Sequence, residues 1–247
     1  MELTQALSCN VRLPRSLSRT SLPVLAAAID GAFSAPARIV CLRGESDTVF
    51  CTGLAIESAP HDASRPELQE FALLLARLLD APKPTIAIVE GSALGGGVGL
   101  AAACDWVMAT EAATFGLPEL LWGLVPAIIW PVITERMSAR AARSWCVTAH
   151  ARNVQDALAD GLVDEVIPGG SGTHVERRLR SLARIEPRAL AMLRDWSRQT
   201  RTLHVNDALP EGARITADLM DNTTVRTRLA AFERGEAPWP PWEEEER

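Results

Sequence analysis

The sequence predicts an α/β core carrying a helical C-terminal appendage. Two observations carry this. Up to about residue 168, short apolar runs alternate with helical patterns, whereas beyond about residue 185 every pattern is helical. A third feature bears on function: residues 91–100, GSALGGGVGL, hold five glycines in ten positions directly after the strand-like run TIAIVE. Glycine costs backbone entropy, so a cluster this dense marks a place where the backbone comes close to something.

Taken in order, LPVLAAAIDGAF (22–33) reads as a helix and ARIVCLRG (37–44) as a strand closed by Gly44. TVFCTG (48–53) is a second strand ending at Gly53, and the polar, two-proline segment ESAPHDASRP (57–66) reads as an exposed loop. Pro66 opens a helix whose Leu68, Phe71, Leu74, Leu75, Leu78 and Leu79 fall at helical spacing on one face. TIAIVEG is the next strand, followed by the glycines, the helix-like VGLAAACD and the strand WVMAT. ATFGLPELLWG (113–123) is rich in turn residues, and LVDEVIP (162–168) interrupts helical patterns. The chain ends in PWPPWEEEER, a proline break and an acidic tail expected to be mobile. These patterns divide the chain into a core, residues 1–185, and a helical region, residues 186–247.

Composition excludes several classes. The 247 residues carry a net charge of −6 with no basic stripe, which argues against a nucleic-acid binder. The local run ERRLRSLAR (176–184) reads as the solvated face of a helix. Five scattered cysteines without CxxC spacing indicate neither a metal site nor a disulfide framework. No signal peptide is evident. The most apolar stretch, 112–133, contains Glu119, Pro118, Pro126 and Pro131, so no membrane span is expected and a cytoplasmic location is the default.

The glycines admit three readings. GVGLAA (97–102) fits the dinucleotide pattern G-x-G-x-x-A, but the strand-like run ends at Val89, too far upstream. A P-loop fails because Gly97 and Val98 stand where Lys and Ser or Thr are required. Close helix–strand packing is the structural reading. The third is an oxyanion site: a helix starting near Gly96 or Gly97 offers unpaired N–H groups and the positive end of its dipole to a thioester oxygen. FCTGLAI (50–56) can supply a second donor, the N–H of Leu54. FGLPELLWGLVP (115–126) puts Glu119 in a mainly apolar setting, where its pKa would rise and let it exchange protons near neutrality.

With these residues in view, the chain resembles the crotonase (enoyl-CoA hydratase/isomerase) superfamily. Four blocks carry the resemblance in the right order: TVFCTGLAI, KPTIAIVEGSALGGGVGLAAACDWVMATEAATFGLPEL, ADGLVDEVIP and RLAAFERGEAPW. The resemblance implies a spiral of ββα units with a C-terminal helical oligomerisation region, forming a homotrimer or a dimer of trimers. It implies Leu54 and Gly96 as oxyanion donors and Glu119 as the acid–base group. Gly53, Ala55, Ile56, Gly95, Trp122 and His61 would contact substrate. The acyl group would arrive on phosphopantetheine, of coenzyme A or of an acyl carrier protein, with no metal or redox cofactor.

The chain departs from the family at instructive places. Typical hydratases carry two catalytic glutamates; the first would fall at Gly99 and is missing, while the second matches Glu119. Ala55 replaces the usual Asp after the first glycine turn, and Leu54 the usual Ala at the donor. The glycine at position 99 and the stretch FGLPELLWGLVPAIIWPVI resemble the subgroup that dehydrates a 3-hydroxy-3-methylglutaryl group on a carrier protein in polyketide β-branching. A CoA-linked enoyl isomerase or hydratase, a decarboxylase of the same cassette and a non-catalytic subunit of this fold are the alternatives. His61 and Arg65 could reach a substrate carboxylate or be plain loop residues. Trp122 and Trp130 could shape the acyl pocket or the core. Lys83 reads as a structural charge, and Cys51 and Cys104 as small buried apolar residues.

Overall fold

The computed structural model describes residues 7–55, 66–169 and 172–239. Two sheets form the core of the first of two compact units, Met1–Pro187; the second unit is Arg188–Arg247. The larger sheet contains β1 (Ser8–Leu13), β2 (Ile39–Gly44), β4 (Thr85–Val89), β6 (Trp106–Thr110) and β9 (Glu165–Ile167), adjacent in that order and parallel throughout. The smaller contains β3 (Val49–Cys51), β5 (Ser92–Leu94), β7 (Thr114–Gly116) and β8 (Arg152–Asn153). Its first three strands are parallel and β8 is antiparallel.

Each turn of the chain lays one strand in the large sheet and the next in the small one. Thus β2 leads to β3 and then to α2 (Pro66–Leu79); β4 leads to β5 and then to α3 (Gly96–Ala102). β6 leads to β7 and then to a 3-10 turn, Glu119–Trp122. The sequence explains the layering. The run TIAIV of β4 is buried at every position, as a parallel strand covered on both faces must be. α1 (Ser21–Ser34) buries Leu22, Leu25, Ile29 and Ala32, and α2 buries Phe71, Leu74, Leu75 and Leu78, each a stripe at helical spacing. Leu68 departs from that expectation: it lies in the first turn of α2 and is 37% exposed.

Polar ties fix the ends of these elements. Lys83 donates from Nζ to the carbonyls of Ala35 and Ala37, both at 2.7 Å, closing the chain just beyond α1. Asp105 accepts from the N–H (2.8 Å) and hydroxyl (2.9 Å) of Thr85, locking the starts of β4 and β6 together. Beyond the 3-10 turn come α4 (Trp130–Arg136), α5 (Ala139–Thr148), α6 (Val154–Ala159) and, after β9, α7 (Gly172–Leu182). The remaining helices are α8 (Pro187–Gln199), α9 (Val205–Met220) and α10 (Thr223–Glu233). No helix among the described residues is long and apolar enough to cross a membrane.

Candidate active site

Parallel pairing of β3, β5 and β7 brings their C-terminal ends side by side. In register, Cys51 stands opposite Ala93, and Ala93 opposite Phe115. The turns leaving the three strands are therefore neighbours in space: Gly53–Leu54 after β3, Gly95–Gly96 after β5 and Pro118–Glu119 after β7.

The first turn is held from behind. Leu17 donates to the Gly53 carbonyl at 2.8 Å and accepts from the Ala55 N–H at 2.7 Å, a parallel bridge centred on Leu54. Such a bridge uses the groups either side of Leu54 and turns the Leu54 N–H away from Leu17. Gly53 takes a φ of +81°, and a Cβ built there would lie 2.6 Å from the Gly96 nitrogen, so only glycine lets the two turns touch.

The second turn opens α3. Gly95, with φ +50°, is its N-cap, and the first intrahelical bond runs from the Gly99 N–H to the Gly95 carbonyl at 3.2 Å. Among the described residues neither the Gly96 nor the Leu54 N–H donates to any acceptor. A Cβ on Gly97 would strike the carbonyl of Cys51, so the helix start lies directly against the end of β3. The other end of α3 is satisfied: Arg136 donates to the carbonyls of Cys104 (2.7 Å) and Ala102 (3.1 Å) while pairing with Asp164 at 2.8 Å. A cation there complements the helix dipole and leaves the N-terminus as the end with donors to spare.

Glu119 begins the 3-10 turn after β7. Its Oε1 lies against Gly95, where a built Cβ would come within 2.9 Å, and its Oε2 is buried with no hydrogen-bond partner among the described residues. Burial holds this carboxyl above its ordinary value, against a smaller opposing pull from its own backbone N–H. Cys146 of α5 is close by: burial, and then the Glu119 charge, push its thiol up. Glu70 of α2 also has a buried oxygen, Oε2, with no partner among the described residues.

The structure thus brings together Leu54, Gly96, Gly53, Gly95 and Glu119. Ala55 is exposed at the rim, its N–H held by Leu17. Trp122 is 59% exposed, and Trp130 is half-buried against the core. Ile56, His61 and Arg65 lie outside the described residues. Cys51 and Cys104 are buried, with thiols pushed up by burial, Cys51 to about 11. Among the described residues no three His, Cys, Asp or Glu side chains gather into a metal-binding group.

Two residues to which the sequence assigns no site role belong beside the site. Phe71 of α2 places Cζ 3.1 Å from a Cβ built on Gly96. Ile129, the N-cap of α4, fills the space where a side chain at position 99 would stand: a Cβ on Gly99 would collide with its Cγ2. Nothing in either residue's local sequence signals this, because the space belongs to the packing of α3 on its neighbours.

Two sheets wound in ββα turns and followed by C-terminal helices make this a crotonase fold. The structure is similar to human enoyl Coenzyme A hydratase domain-containing protein 3, with a TM-score of 0.84 and 19% identity, covering 96% of this chain and 97% of that one. Residues 17–244 match the enoyl-CoA hydratase/isomerase family, and the chain belongs to it. Among curated relatives, it is 36% identical over 138 residues to the putative enoyl-CoA hydratase/isomerase YngF of Bacillus subtilis, covering 54% of this chain. That match spans 53% of YngF, about half its length. The bacillaene synthase dehydratase PksH of the same bacterium is 26% identical over 207 residues, 81% of this chain and 79% of PksH.

Proposed function

We propose that the chain dehydrates a 3-hydroxyacyl thioester, of the 3-hydroxy-3-methylglutaryl type, carried on the phosphopantetheine of an acyl carrier protein. The observation that carries this is the convergence, on the ends of three adjacent strands, of two N–H donors with no acceptor among the described residues and one carboxylate with a buried oxygen. Similarity to a relative named as a synthase dehydratase supports the choice of reaction.

In this reading the thioester oxygen accepts from the N–H groups of Leu54 and Gly96. The α C–H bond breaks, its proton passes to the Glu119 carboxylate, and the electron pair is held as an enolate by the two donors. The enolate then re-forms the carbonyl, a C=C bond forms, and the β C–O bond breaks. The departing hydroxyl takes the proton from Glu119 and leaves as water, so the carboxylate returns to its starting state. Burial suits Glu119 to this relay, because a carboxyl with a raised pKa both accepts and returns a proton near neutrality.

The same reading makes the unit Arg188–Arg247, with Leu193, Leu209 and Phe232 exposed, an oligomerisation surface for a trimer or dimer of trimers.

Intact-protein mass spectrometry of a 3-hydroxy-3-methylglutaryl carrier protein incubated with the chain tests the reaction. Loss of one water from the carrier is expected, and Glu119→Gln should slow it by about 10²–10⁴-fold. An unchanged carrier, together with double-bond migration in an enoyl-CoA, would replace dehydration by isomerisation. Inactivity in both assays would leave a non-catalytic subunit.

A further inference from the structure

The segment that delivers Glu119 to the N-terminal end of α3 delivers Ile129 one turn further along it. Glu119 Oε1 lies against Gly95, and Ile129 lies against Gly99, whose N–H donates to the Gly95 carbonyl. A Cβ on Gly99 would lie 2.9 Å from the Ile129 Cβ, closer still to its Cγ2, and 3.9 Å from Phe71 Cζ. Ile129 and Phe71 are 3% and 1% exposed, so this part of the wall is dense hydrocarbon. Moving along α3, the chain presents a carboxylate at Gly95, a donor at Gly96 and methyl groups at Gly99.

Gly95 and Gly99 stand one turn apart on the same face of α3, so the Glu119 carboxylate and the Ile129 methyl groups are neighbours along it. Glycine at position 99 and isoleucine at position 129 are therefore one device. The first gives up a side chain, and the second fills the space with hydrocarbon, leaving no room for a water-activating group.

We propose that Ile129 is a specificity-determining residue. With Phe71 it forms the apolar wall against which a nonpolar β-substituent packs, selecting acyl thioesters branched at the β-carbon and turning the β-hydroxyl toward Glu119. This rests on the thioester reading above but not on dehydration itself.

The test is binding of saturated, unreactive thioesters, butanoyl-, 3-methylbutanoyl- and 3-methylpentanoyl-pantetheine, to the wild type, Ile129→Ala and the milder Ile129→Val. The wild type should bind the 3-methylbutanoyl thioester roughly tenfold more tightly than the butanoyl one, the ordinary effect of one methyl group in a fitted pocket. Ile129→Ala, checked for folding by circular dichroism, should lose that preference and favour the longer 3-methylpentanoyl group. Ile129→Val should fall between, and it carries the test if the alanine variant does not fold. Equal binding of branched and straight acyl groups by the wild type, or an unchanged ranking in the variants, would overturn the inference. The expected ranking without turnover of a 3-hydroxyacyl thioester would remove the dehydration reading and leave Ile129 in its role. Binding of none of the three would overturn the role of Ile129, and the carrier assay above would decide dehydration separately.

Discussion

The carboxylate of Glu119 rests on the bare backbone of Gly95, where a methyl group would stand 2.9 Å from Oε1. Gly95→Ala should therefore displace the acid–base group as well as strain a residue at φ +50°. The strain alone costs about 1–3 kcal/mol, because φ +50°, ψ −116° lies outside even the left-handed helical region. A control separates the two effects. Gly235 has φ +75° with nothing among the described residues within 4 Å of a built Cβ, so Gly235→Ala carries a positive-φ strain without the displacement. Both variants should melt lower, but only Gly95→Ala should lose turnover, by about 10²-fold or more. Equal activities, measured as kcat on the thioester alongside Tm, would show that Glu119 does not depend on this contact.

Glu119 should destabilise the fold at neutral pH. Its pKa is raised in the folded state, so the folded chain holds this proton more tightly than the unfolded one. The associated stability is complete below the ordinary carboxylate pKa and is lost as pH rises through the folded value. Glu119→Gln keeps the shape without the charge. The difference in Tm between variant and wild type should thus grow in the variant's favour as pH rises from about 4 towards neutrality. A flat difference would mean that the buried carboxylate is solvated well enough to ionise freely. Stability given up at a reacting group is the usual trade between activity and folding.

Legibility in the sequence followed the range of the interactions concerned. β4 and α2 were readable because continuous burial, or a stripe at helical spacing, is written locally. β5, β7 and β8 were not: each has two or three residues, too few for a period, and exists only through pairing with distant strands. β1, SCNVRL, hid behind polar residues on a strand whose burial alternates only in part. At the site, Glu119 and the two glycine turns stood out because a carboxylate among apolar residues and clustered glycines are anomalies in any fold. Leu17, which holds the Leu54 turn, and Ile129, which fills the space at Gly99, carry no such anomaly. An apolar residue doing positional work looks like any other core residue until its neighbours are known.

Gly31 offers a gain with no site involved. It lies inside α1, is exposed, and a Cβ there would meet nothing within 4 Å among the described residues. Gly31→Ala should raise stability by about 0.5–1 kcal/mol through helix propensity and reduced unfolded-state freedom. Chemical denaturation should show a higher midpoint at an unchanged slope. No shift would mean that α1 is already frayed at this position.

Acid should weaken the chain through Glu165. This residue of β9 accepts from Arg178 Nε at 2.7 Å and Trp106 Nε1 at 3.4 Å and contacts His174 Nε2 at 2.6 Å. Arg178 also lies over the Trp106 ring, 5.0 Å from its centre, so one carboxylate ties β6, β9 and α7 together. Burial pushes the Glu165 carboxyl up, but the hydrogen bonds from Arg178 and His174, the Arg178 charge and the Trp106 N–H outweigh it and hold it below its ordinary value. With a depressed pKa, the folded state releases this proton more readily than the unfolded one. The stabilisation is therefore present above the ordinary carboxylate value and is lost as pH falls through the folded one. Partial exposure limits its size to about 1 kcal/mol, or 2–4 °C in Tm for a chain of this length. Glu165→Gln should melt lower than wild type at neutral pH, and the two melting curves should converge below about pH 4. A gap that persists into acid would assign the loss to packing of the amide rather than to charge.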